Sequence, residues 1–273
     1  MTATIPAIDA VSALIRHVAA EEILPRFGRL AERDIREKGP GDLVTTADVE
    51  AERRLTAALT TLMPDSLVVG AEATAQDPGV LDALSGDRPV WLVDPVDGTL
   101  NFARGHPCFA VILAYVHRGD TVAAWIHDPV AGETMTAKAG EGVWLGNERQ
   151  RAAAGRALTE MKGALGNGLR RRVFSRLKAE GSEPPTNITR YGCAGREYMD
   201  VASGKLDFLA YGGRLKPWDH AAGVLFHREA GGYGAFVDDG SPYGPGRGIV
   251  HGSLLLAPDR DSWSDLQGFV NGG

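Results

Sequence analysis

The chain has 273 residues, of which 44% are hydrophobic and 23% are charged, and both values are ordinary for a soluble globular protein. Its formal net charge of -6, from 35 acidic against 29 basic residues, argues against a broad nucleic-acid-binding surface. An anionic substrate is compatible with this charge, because a bound metal ion reverses the local field.

Cysteine content and the N-terminal segment bear on location. Cys108 and Cys193 are the two cysteines. Their wide separation indicates a reducing compartment and two free buried thiols rather than a disulfide framework. Asp9, Arg16 and two glutamates interrupt the apolar N-terminal segment. We therefore expect neither a signal peptide nor a membrane span there, and we expect a cytoplasmic protein.

The first third of the chain alternates helices and buried strands. Helical spacing of apolar residues predicts a first amphipathic helix over about 7–27, and 30–37 are expected to be less ordered or extended. After a Gly/Pro loop and a short strand, Asp48 is expected to cap a helix that ends before Pro64. SLVVG at 66–70 predicts a buried strand, and a polar loop is expected to follow it.

The middle of the chain is dominated by strands. VWLVD at 90–94 predicts a second buried strand, and two apolar runs around Gly119 and Asp120 predict a β-hairpin. Beyond about residue 157 the pattern changes to a basic helix carrying Arg170 to Arg172, and then to alternating helices and strands with a small helix at the end. This mixture predicts layered sheets covered by helices.

Acidic residues stand beside turns or at element ends in four separate stretches. These residues are Asp48, Glu72, the pair Asp94 and Asp97, and Asp219. Each taken alone is better explained as a helix cap or a solvated charge than as a metal ligand. Together they are the oxygen ligands that Mg2+ prefers, since this ion binds a few carboxylates, waters and substrate phosphate. Only the fold decides whether they converge.

The stretch WLVDPVDGTLNF at 91–102 strengthens the metal hypothesis. Two carboxylates this close repel each other and need a cation or a proton between them, although Asp, Pro and Gly are also common turn formers. Gly98 and Thr99 then start a segment whose free backbone N–H groups suit an anion, and the glycine allows phosphate to approach the backbone. Cations beside an anion site indicate phosphate chemistry.

Four motifs in the same order resemble the inositol monophosphatase family of magnesium-dependent, lithium-sensitive phosphatases. They are the segment at 38–48, VVGAEA at 68–73, WLVDPVDGTLNF at 91–102 and PWDHAAG at 217–223. The resemblance implies a mixed α+β fold, a layered α-β-α-β-α sandwich of the inositol monophosphatase and fructose-1,6-bisphosphatase type. It also implies one domain over 1–273, with packed halves of roughly 1–150 and 151–273.

The resemblance assigns roles residue by residue. As metal ligands it implies Glu72, Asp94, the carbonyl of Val96, Asp97 and Asp219, for two or three Mg2+ ions. As catalytic residues it implies Glu72, Asp94 and Asp97 together with Asp48 and Thr99, which orient the attacking water. As substrate contacts it implies Asp97, the amides of Gly98 and Thr99, the loop residues Gly192 and Ala194, and Asp219.

Two positions depart from the family pattern and weaken inositol as the expected substrate. Ala71 stands where the family commonly has a second Glu, and Gly212 stands where inositol phosphatases carry a Glu for substrate hydroxyls. Arg214 and Lys216 follow Gly212, so we expect a broader or more anionic preference. Gly212 as a simple turn glycine is the competing interpretation.

The expected activity is hydrolysis, by metal-activated water, of small phosphate monoesters, either inositol monophosphate-like or other sugar and polyol phosphates. Histidinol phosphate and nucleotide or sugar bisphosphates are the alternatives. The expected partners are a small phosphorylated metabolite and a second copy in a homodimer, without membrane and without nucleic acid.

Two rival classes stay open. The haloacid dehalogenase phosphatases use D-x-D-G-T, but the spacing here is one residue longer and the motif lies far from the N-terminus. Some bacterial family members act on transcription or ribosome assembly through protein contacts, and the run Arg170 to Arg172 is a candidate surface for such a role, or an ordinary solvated helix face.

Overall fold

The computed structural model describes residues 4–39, 42–184 and 186–271. The α-helices are α1 (Ile8–Val18), α2 (Thr46–Leu62), α3 (Ala71–Gln76), α4 (Thr99–Ala103), α5 (Asn167–Glu180), α6 (Ala194–Ala202), α7 (Pro217–Glu229) and α8 (Arg260–Asn271). The strands are β1 (Ile35–Gly39), β2 (Asp42–Thr45), β3 (Leu67–Gly70), β4 (Val90–Asp97), β5 (Ala110–His117), β6 (Asp120–Asp128), β7 (Glu133–Lys138), β8 (Gly142–Leu145), β9 (Glu148–Arg149), β10 (Lys162–Leu165), β11 (Asn187–Thr189), β12 (Phe208–Leu215), β13 (Tyr233–Phe236) and β14 (Val250–Ala257). Among these residues, no helix is both long and apolar enough to cross a membrane.

The first predicted helix is divided into three parts. The α-helix α1 ends at Val18, a π-helical turn continues over Ala19–Ile23, and a 3-10 turn occupies Leu24–Arg26. Pro25 lies at the start of that last turn, where its missing N–H and its ring prevent further α-helix. The helical prediction over 7–27 therefore gave the correct extent but missed the change of helix type.

Two segments that were expected to be irregular contain regular structure. Residues 30–37 include a 3-10 turn over Glu32–Asp34 and the start of β1, which pairs with β2 in antiparallel fashion. The expected polar loop after β3 contains α3 and a 3-10 segment over Pro78–Ser85.

The last helix, α8, was expected to be small and is three turns long. Its buried face packs on β14.

Two large sheets carry the fold. A seven-stranded sheet has the order β3-β4-β5-β6-β7-β8-β9, and a five-stranded sheet has the order β11-β10-β12-β14-β13. Strands β3 and β4 run parallel, whereas the remaining pairs of the larger sheet are antiparallel. The predicted hairpin is β5 and β6, which turn at Gly119 with φ of 82°. That prediction is confirmed.

Three apolar clusters show how the layers stack. Trp91, Val111 and Trp125 on one face of the larger sheet pack against α1 and α2. Residues on its other face, including Leu92 and Ile126, pack against α6, α7 and the inner face of the smaller sheet. The outer face of the smaller sheet packs against α5 and α8. The protein is a five-layer α-β-α-β-α sandwich of mixed α+β class, as expected.

This stacking places several element ends at one site. The parallel strands β3 and β4 end at the same edge of the sheet, so that the residues after both strands face the same region. The middle helical layer brings the N-terminal ends of α6 and α7 to this region, since α7 packs against β4, β5 and β6. Residues from distant parts of the chain meet there.

Candidate active site

The carboxyl end of β4 is irregular where the acidic pair lies. The pairing of β4 with β5 shifts register between Asp94 and Asp97, across Pro95, which has no N–H to donate. The N–H of Val96 donates to Asp94 Oδ1 at 3.1 Å. Gly98 follows with φ of 85°, in the left-handed region that favours glycine, and α4 begins at the next residue. The bulge and Gly98 therefore interrupt the regular hydrogen bonding between β4 and β5 at the two carboxylates.

Three partly buried carboxylates meet at this edge. Asp94 and Asp97 come from β4, and Asp219 comes from the first turn of α7. The carboxyl groups of Asp94 and Asp219 lie within hydrogen-bonding reach of each other. Burial, followed by the charges of Asp219 and Asp97, raises the pKa of Asp94 well above its usual range. Burial raises the pKa of Asp219 to about 7, although Lys216 opposes the shift.

Asp97 connects β4 to the start of α6. Its Oδ2 accepts the N–H of Gly195 at 2.6 Å and the thiol of Cys193 at 3.0 Å. Burial raises the pKa of Asp97, and the hydrogen bonds from Cys193 and Gly195 partly offset this effect. The expected substrate residues, Gly192 in the loop before α6 and Ala194 at the start of α6, therefore lie in a segment that is bonded directly to the acidic cluster.

Asp48 and Thr99 are brought together, as their expected shared role requires. Thr99 Oγ1 lies 3.3 Å from Asp48 Oδ1 and 2.9 Å from the carbonyl oxygen of Val96. Burial raises the pKa of Asp48 to about 6, while hydrogen bonds from Thr45 lower it. Thr45, and not Asp48, is the N-cap of α2; Asp48 is the third helical residue and accepts the Thr45 N–H in a capping box. The predicted cap was displaced by three residues.

Glu72 lies beside Asp48 and Glu52 and is paired with a lysine. It is in the first turn of α3, and its Oε1 accepts from Lys38 Nζ at 2.8 Å. Its charge acts on Asp48 and on Glu52, whose carboxylate accepts the N–H groups of Glu72 and Ala73. The charges that chiefly act on Asp94 are those of Asp219, Asp97, Asp48 and Lys216. Glu72 is thus a neighbour of Asp48 at the margin of the cluster. Its negative charge is already paired with Lys38.

The donor chemistry of the cluster fits a hard divalent cation. Asp94, Asp97 and Asp219 offer partly buried carboxylate oxygens whose mutual repulsion a cation relieves. In the described part of the chain, no three His, Cys, Asp or Glu side chains are already arranged to hold a metal ion. Asp97 is directed to α6 and Glu72 to Lys38. Metal binding therefore requires side-chain reorientation.

The loop before α6 is held from two sides by residues that sequence reasoning missed. Asn101 Nδ2, on α4, lies within hydrogen-bond distance of the carbonyls of Tyr191, Gly192 and Cys108. Glu197 Oε1 accepts the N–H of Tyr191, and its Oε2 accepts the hydroxyl of Tyr211 at 2.6 Å. Burial raises the pKa of Glu197 to about 7. The sequence offered only one signal, an acidic residue three positions after Ala194.

The two residues that depart from the family pattern, Ala71 and Gly212, lie in different parts of the structure. Ala71 lines a cavity beside Lys38 and Lys216. Gly212 lies within β12, and a Cβ there would meet Leu169 of α5 at 3.2 Å and Ser253 at 3.4 Å. The glycine is therefore part of a strand that packs against α5, and the turn interpretation is wrong.

His220, next to Asp219, packs into the middle helical layer. Its Nδ1 lies 2.9 Å from the hydroxyl of Tyr198 on α6, and burial lowers its pKa to about 3. A Cβ at Gly223 would lie 1.9 Å from the Tyr198 ring. The glycine permits the close approach of α6 and α7 that fixes where Asp219 stands.

An acidic cluster in a five-layer α+β sandwich is compatible with phosphate chemistry on a bound cation, and comparison with known proteins shows the family. The sequence model of the inositol monophosphatase family matches residues 6–262. The chain therefore belongs to the inositol monophosphatase family, whose members are phosphatases and are generally metal-dependent.

The relatives of this chain have names of two kinds, phosphatases and a Nus factor. The chain is 34% identical over 192 residues to the fructose-1,6-bisphosphatase/inositol-1-monophosphatase of Thermotoga maritima, covering 70% of each protein. It is 32% identical to the Nus factor SuhB of Escherichia coli, covering 84% of this chain and 86% of SuhB. The solved structure of a Thermotoga maritima IMPase superposes with a TM-score of 0.81 at 27% identity, covering 97% of this chain and 96% of that one.

Proposed function

We propose that the protein is a Mg2+-dependent phosphatase that hydrolyses small phosphate monoesters. The observation that carries the proposal is the meeting of Asp94 and Asp97 from β4 with Asp219 from α7, three partly buried carboxylates, at a site that also holds Asp48 and Thr99. Buried carboxylates at such proximity raise each other's pKa and lack a neutralising partner of sufficient charge. Divalent cations supply that charge.

The metal ligands in this proposal are Asp94, Asp97, Asp219 and the carbonyl oxygen of Val96. That carbonyl has two lone pairs, so its contact with Thr99 leaves one available. Glu72 joins only if it gives up its ion pair with Lys38. Bound Mg2+ supplies positive charge that neutralises the phosphate and lowers the pKa of water, and two or three ions are expected from the family.

The remaining residues of the site orient water and phosphate. Thr99 Oγ1 lies between Asp48 and the Val96 carbonyl, so its hydroxyl is placed to hold an attacking water while Asp48 accepts a proton. The N–H groups of Gly98 and Thr99 are proposed phosphate donors. The loop with Gly192 and Ala194, tied to Asp97 through Gly195, is proposed to contact the organic part of the ester.

The substrate class within this proposal is a sugar or polyol phosphate. Support comes from the relative in Thermotoga maritima, whose name includes both fructose-1,6-bisphosphatase and inositol-1-monophosphatase. Histidinol phosphate and nucleotide or sugar bisphosphates are the other members of the test panel.

The test is phosphate release from this panel with Mg2+, with chelator, and with Asp94→Asn or Asp219→Asn. We expect Mg2+-dependent turnover, loss of most of it in either variant, and inhibition by millimolar lithium. Full turnover in excess chelator would contradict the proposal. Acid-quench labelling separates this mechanism from the haloacid dehalogenase class, in which an aspartyl phosphate accumulates.

A regulatory role is the second candidate, because the Nus factor SuhB of Escherichia coli is a relative. The arginine run on α5 gives this role little support. Arg170 stacks on Phe174, with its guanidinium 4.6 Å from the ring centroid, and Arg172 donates to Ser253 Oγ at 3.0 Å. Protein capture by wild type and by Asp94→Asn, with phosphatase activity measured in parallel, separates the two roles.

A further inference from the structure

A basic cavity of about 230 Å³ lies next to the acidic cluster. Its lining includes three cationic residues and one acidic residue, which are Lys38, Arg214, Lys216 and Asp42, together with Ala71 and Trp218. The three cationic residues come from β1, from β12 and from the turn before α7. Since only the fold brings these elements together, the concentration of positive charge is a property of the tertiary structure.

The cavity opens beside the proposed reaction site. Lys216 is close enough for its charge to act on both Asp94 and Asp219. Lys38 donates to Glu72, which in turn acts on Asp48. Trp218 lines the cavity and directly precedes Asp219, whose N–H donates to the carbonyl oxygen of Lys216 at 3.2 Å, so the cavity adjoins the acidic cluster at the start of α7.

The charges in the cavity are unequally compensated. Lys38 pairs with Glu72 at 2.8 Å, and Lys216 lies 3.4 Å from Asp42. Arg214 is exposed, and no acidic side chain of the described residues forms an ion pair with it. A planar guanidinium with free donors is well suited to two-point binding of phosphate or carboxylate.

The walls of the cavity suit a compact anion attached to a small carbon skeleton. Ala71 ends at its Cβ, so this wall adds no charge and leaves the space open. Trp218 also lines the cavity, and Lys216 Nζ lies 5.9 Å from the centroid of its ring. The cavity therefore combines three cationic residues with one carboxylate, Asp42, and with apolar residues that include Ala71 and Trp218.

We propose that Arg214, Lys216 and Lys38 form a subsite for a second anionic group of the substrate, carried on the part of the ester that leaves as the alcohol. The inference rests on the proposed function and narrows it to phosphate esters with an additional phosphate or carboxylate. Arg214 is the specificity-determining residue, because its charge is the one available to a ligand.

The test compares esters that differ in one anionic group. Fructose 1,6-bisphosphate is paired with fructose 1-phosphate, and 2-phosphoglycerate with glycerol 2-phosphate, so that the two pairs distinguish phosphate from carboxylate. We expect wild type to favour the member with the second anion. Arg214→Ala should lower kcat/KM for that member about tenfold and leave its partner unchanged, while Arg214→Lys should retain part of the preference.

The matched control is Arg171→Ala. Arg171 is an exposed arginine on α5, outside the cavity, and neither substrate should be affected. Calorimetric binding of both members of each pair to wild type and Arg214→Ala gives a readout that does not depend on turnover. Equal loss for both members, or equal binding of both by wild type, would overturn the subsite. Absence of hydrolysis with selective binding intact would instead count against the proposed function.

Discussion

Asp97 Oδ2 accepts the N–H of Gly195 at 2.6 Å, and this contact joins the end of β4 in the larger sheet to the first turn of α6. It places the loop over 191–194 against the acidic cluster. Because the bond is short and its acceptor is buried, a displacement of α6 moves the acidic cluster as well as the proposed substrate loop.

Gly195→Ala tests this coupling. An added Cβ would lie 2.8 Å from the Ala110 side chain, 3.1 Å from Ile126 and 3.3 Å from Asp97 Oδ2, so α6 must move away from the sheet. We expect a destabilisation of about 1–3 kcal/mol and a larger fractional loss of kcat. Gly268→Ala in α8 is the control, because nothing lies within 4 Å of its Cβ and the helix gains about 1 kcal/mol. Unchanged kcat in folded Gly195→Ala would show that the contact is dispensable.

Repulsion within the acidic cluster makes a prediction about stability. At pH 8 in chelator, Asp94→Asn should raise Tm by about 2–4 °C, because it removes one charge from a buried group of three, worth about 1 kcal/mol. Mg2+ should raise the Tm of wild type but not of the variant. Asp87→Asn, at a side chain that is 92% exposed, should change neither value. A lower Tm for Asp94→Asn would mean that the wild-type Asp94 carboxylate stabilises the fold without a bound cation.

Thr99 is predicted to act in the transition state. Thr99→Ala removes the hydroxyl between Asp48 and the Val96 carbonyl, so kcat should fall by the equivalent of roughly 2–4 kcal/mol with little change in KM. Thr99→Ser keeps the hydroxyl and should recover most of kcat. Equal kcat for wild type and Thr99→Ala would reduce Thr99 to a structural role.

Glu72 should contribute less than the three clustered aspartates. Its carboxylate is already paired with Lys38, so Glu72→Gln should weaken Mg2+ activation and keep most of kcat at saturating Mg2+. Asp219→Asn should lose kcat at every Mg2+ concentration. Kinetics over a Mg2+ titration distinguish the two patterns, and an equal loss of kcat in both variants would place Glu72 among the essential ligands.

His227 is predicted to make the fold sensitive to acid. Burial lowers its pKa to about 4, and its Nε2 lies 2.8 Å from the carbonyl oxygen of Ala257. In the unfolded chain, this histidine has the ordinary pKa of about 6.5. Between pH 6.5 and pH 4 the unfolded state therefore binds more protons than the native state, and the free energy of unfolding falls as pH falls. The total loss is about 3 kcal/mol, at about 1.4 kcal/mol per pKa unit. Urea unfolding from pH 7 to pH 4 should show a smaller decline for His227→Gln, and an identical decline would exclude His227.

Local patterns in the sequence were sufficient for much of the architecture. The buried strands β3 and β4, the β5–β6 hairpin and the start of α4 after Gly98 all follow from periodicity, apolar runs and turn residues that lie within a few positions of each other. The ordered motifs around Asp94 and Asp219 were sufficient for the family, because their residue types and spacing are specific over about 185 residues of the chain.

The tertiary structure decided which of these residues meet. No local pattern places Cys193 against Asp97, Asn101 against Gly192, or Lys38 between Glu72 and the cavity with Arg214. These contacts join residues 34 to 176 positions apart, and they depend on how two sheets and three helical layers stack. Secondary structure follows from interactions among neighbours in the chain, whereas charge pairing, pKa and the shape of a cavity follow from burial and distance in space.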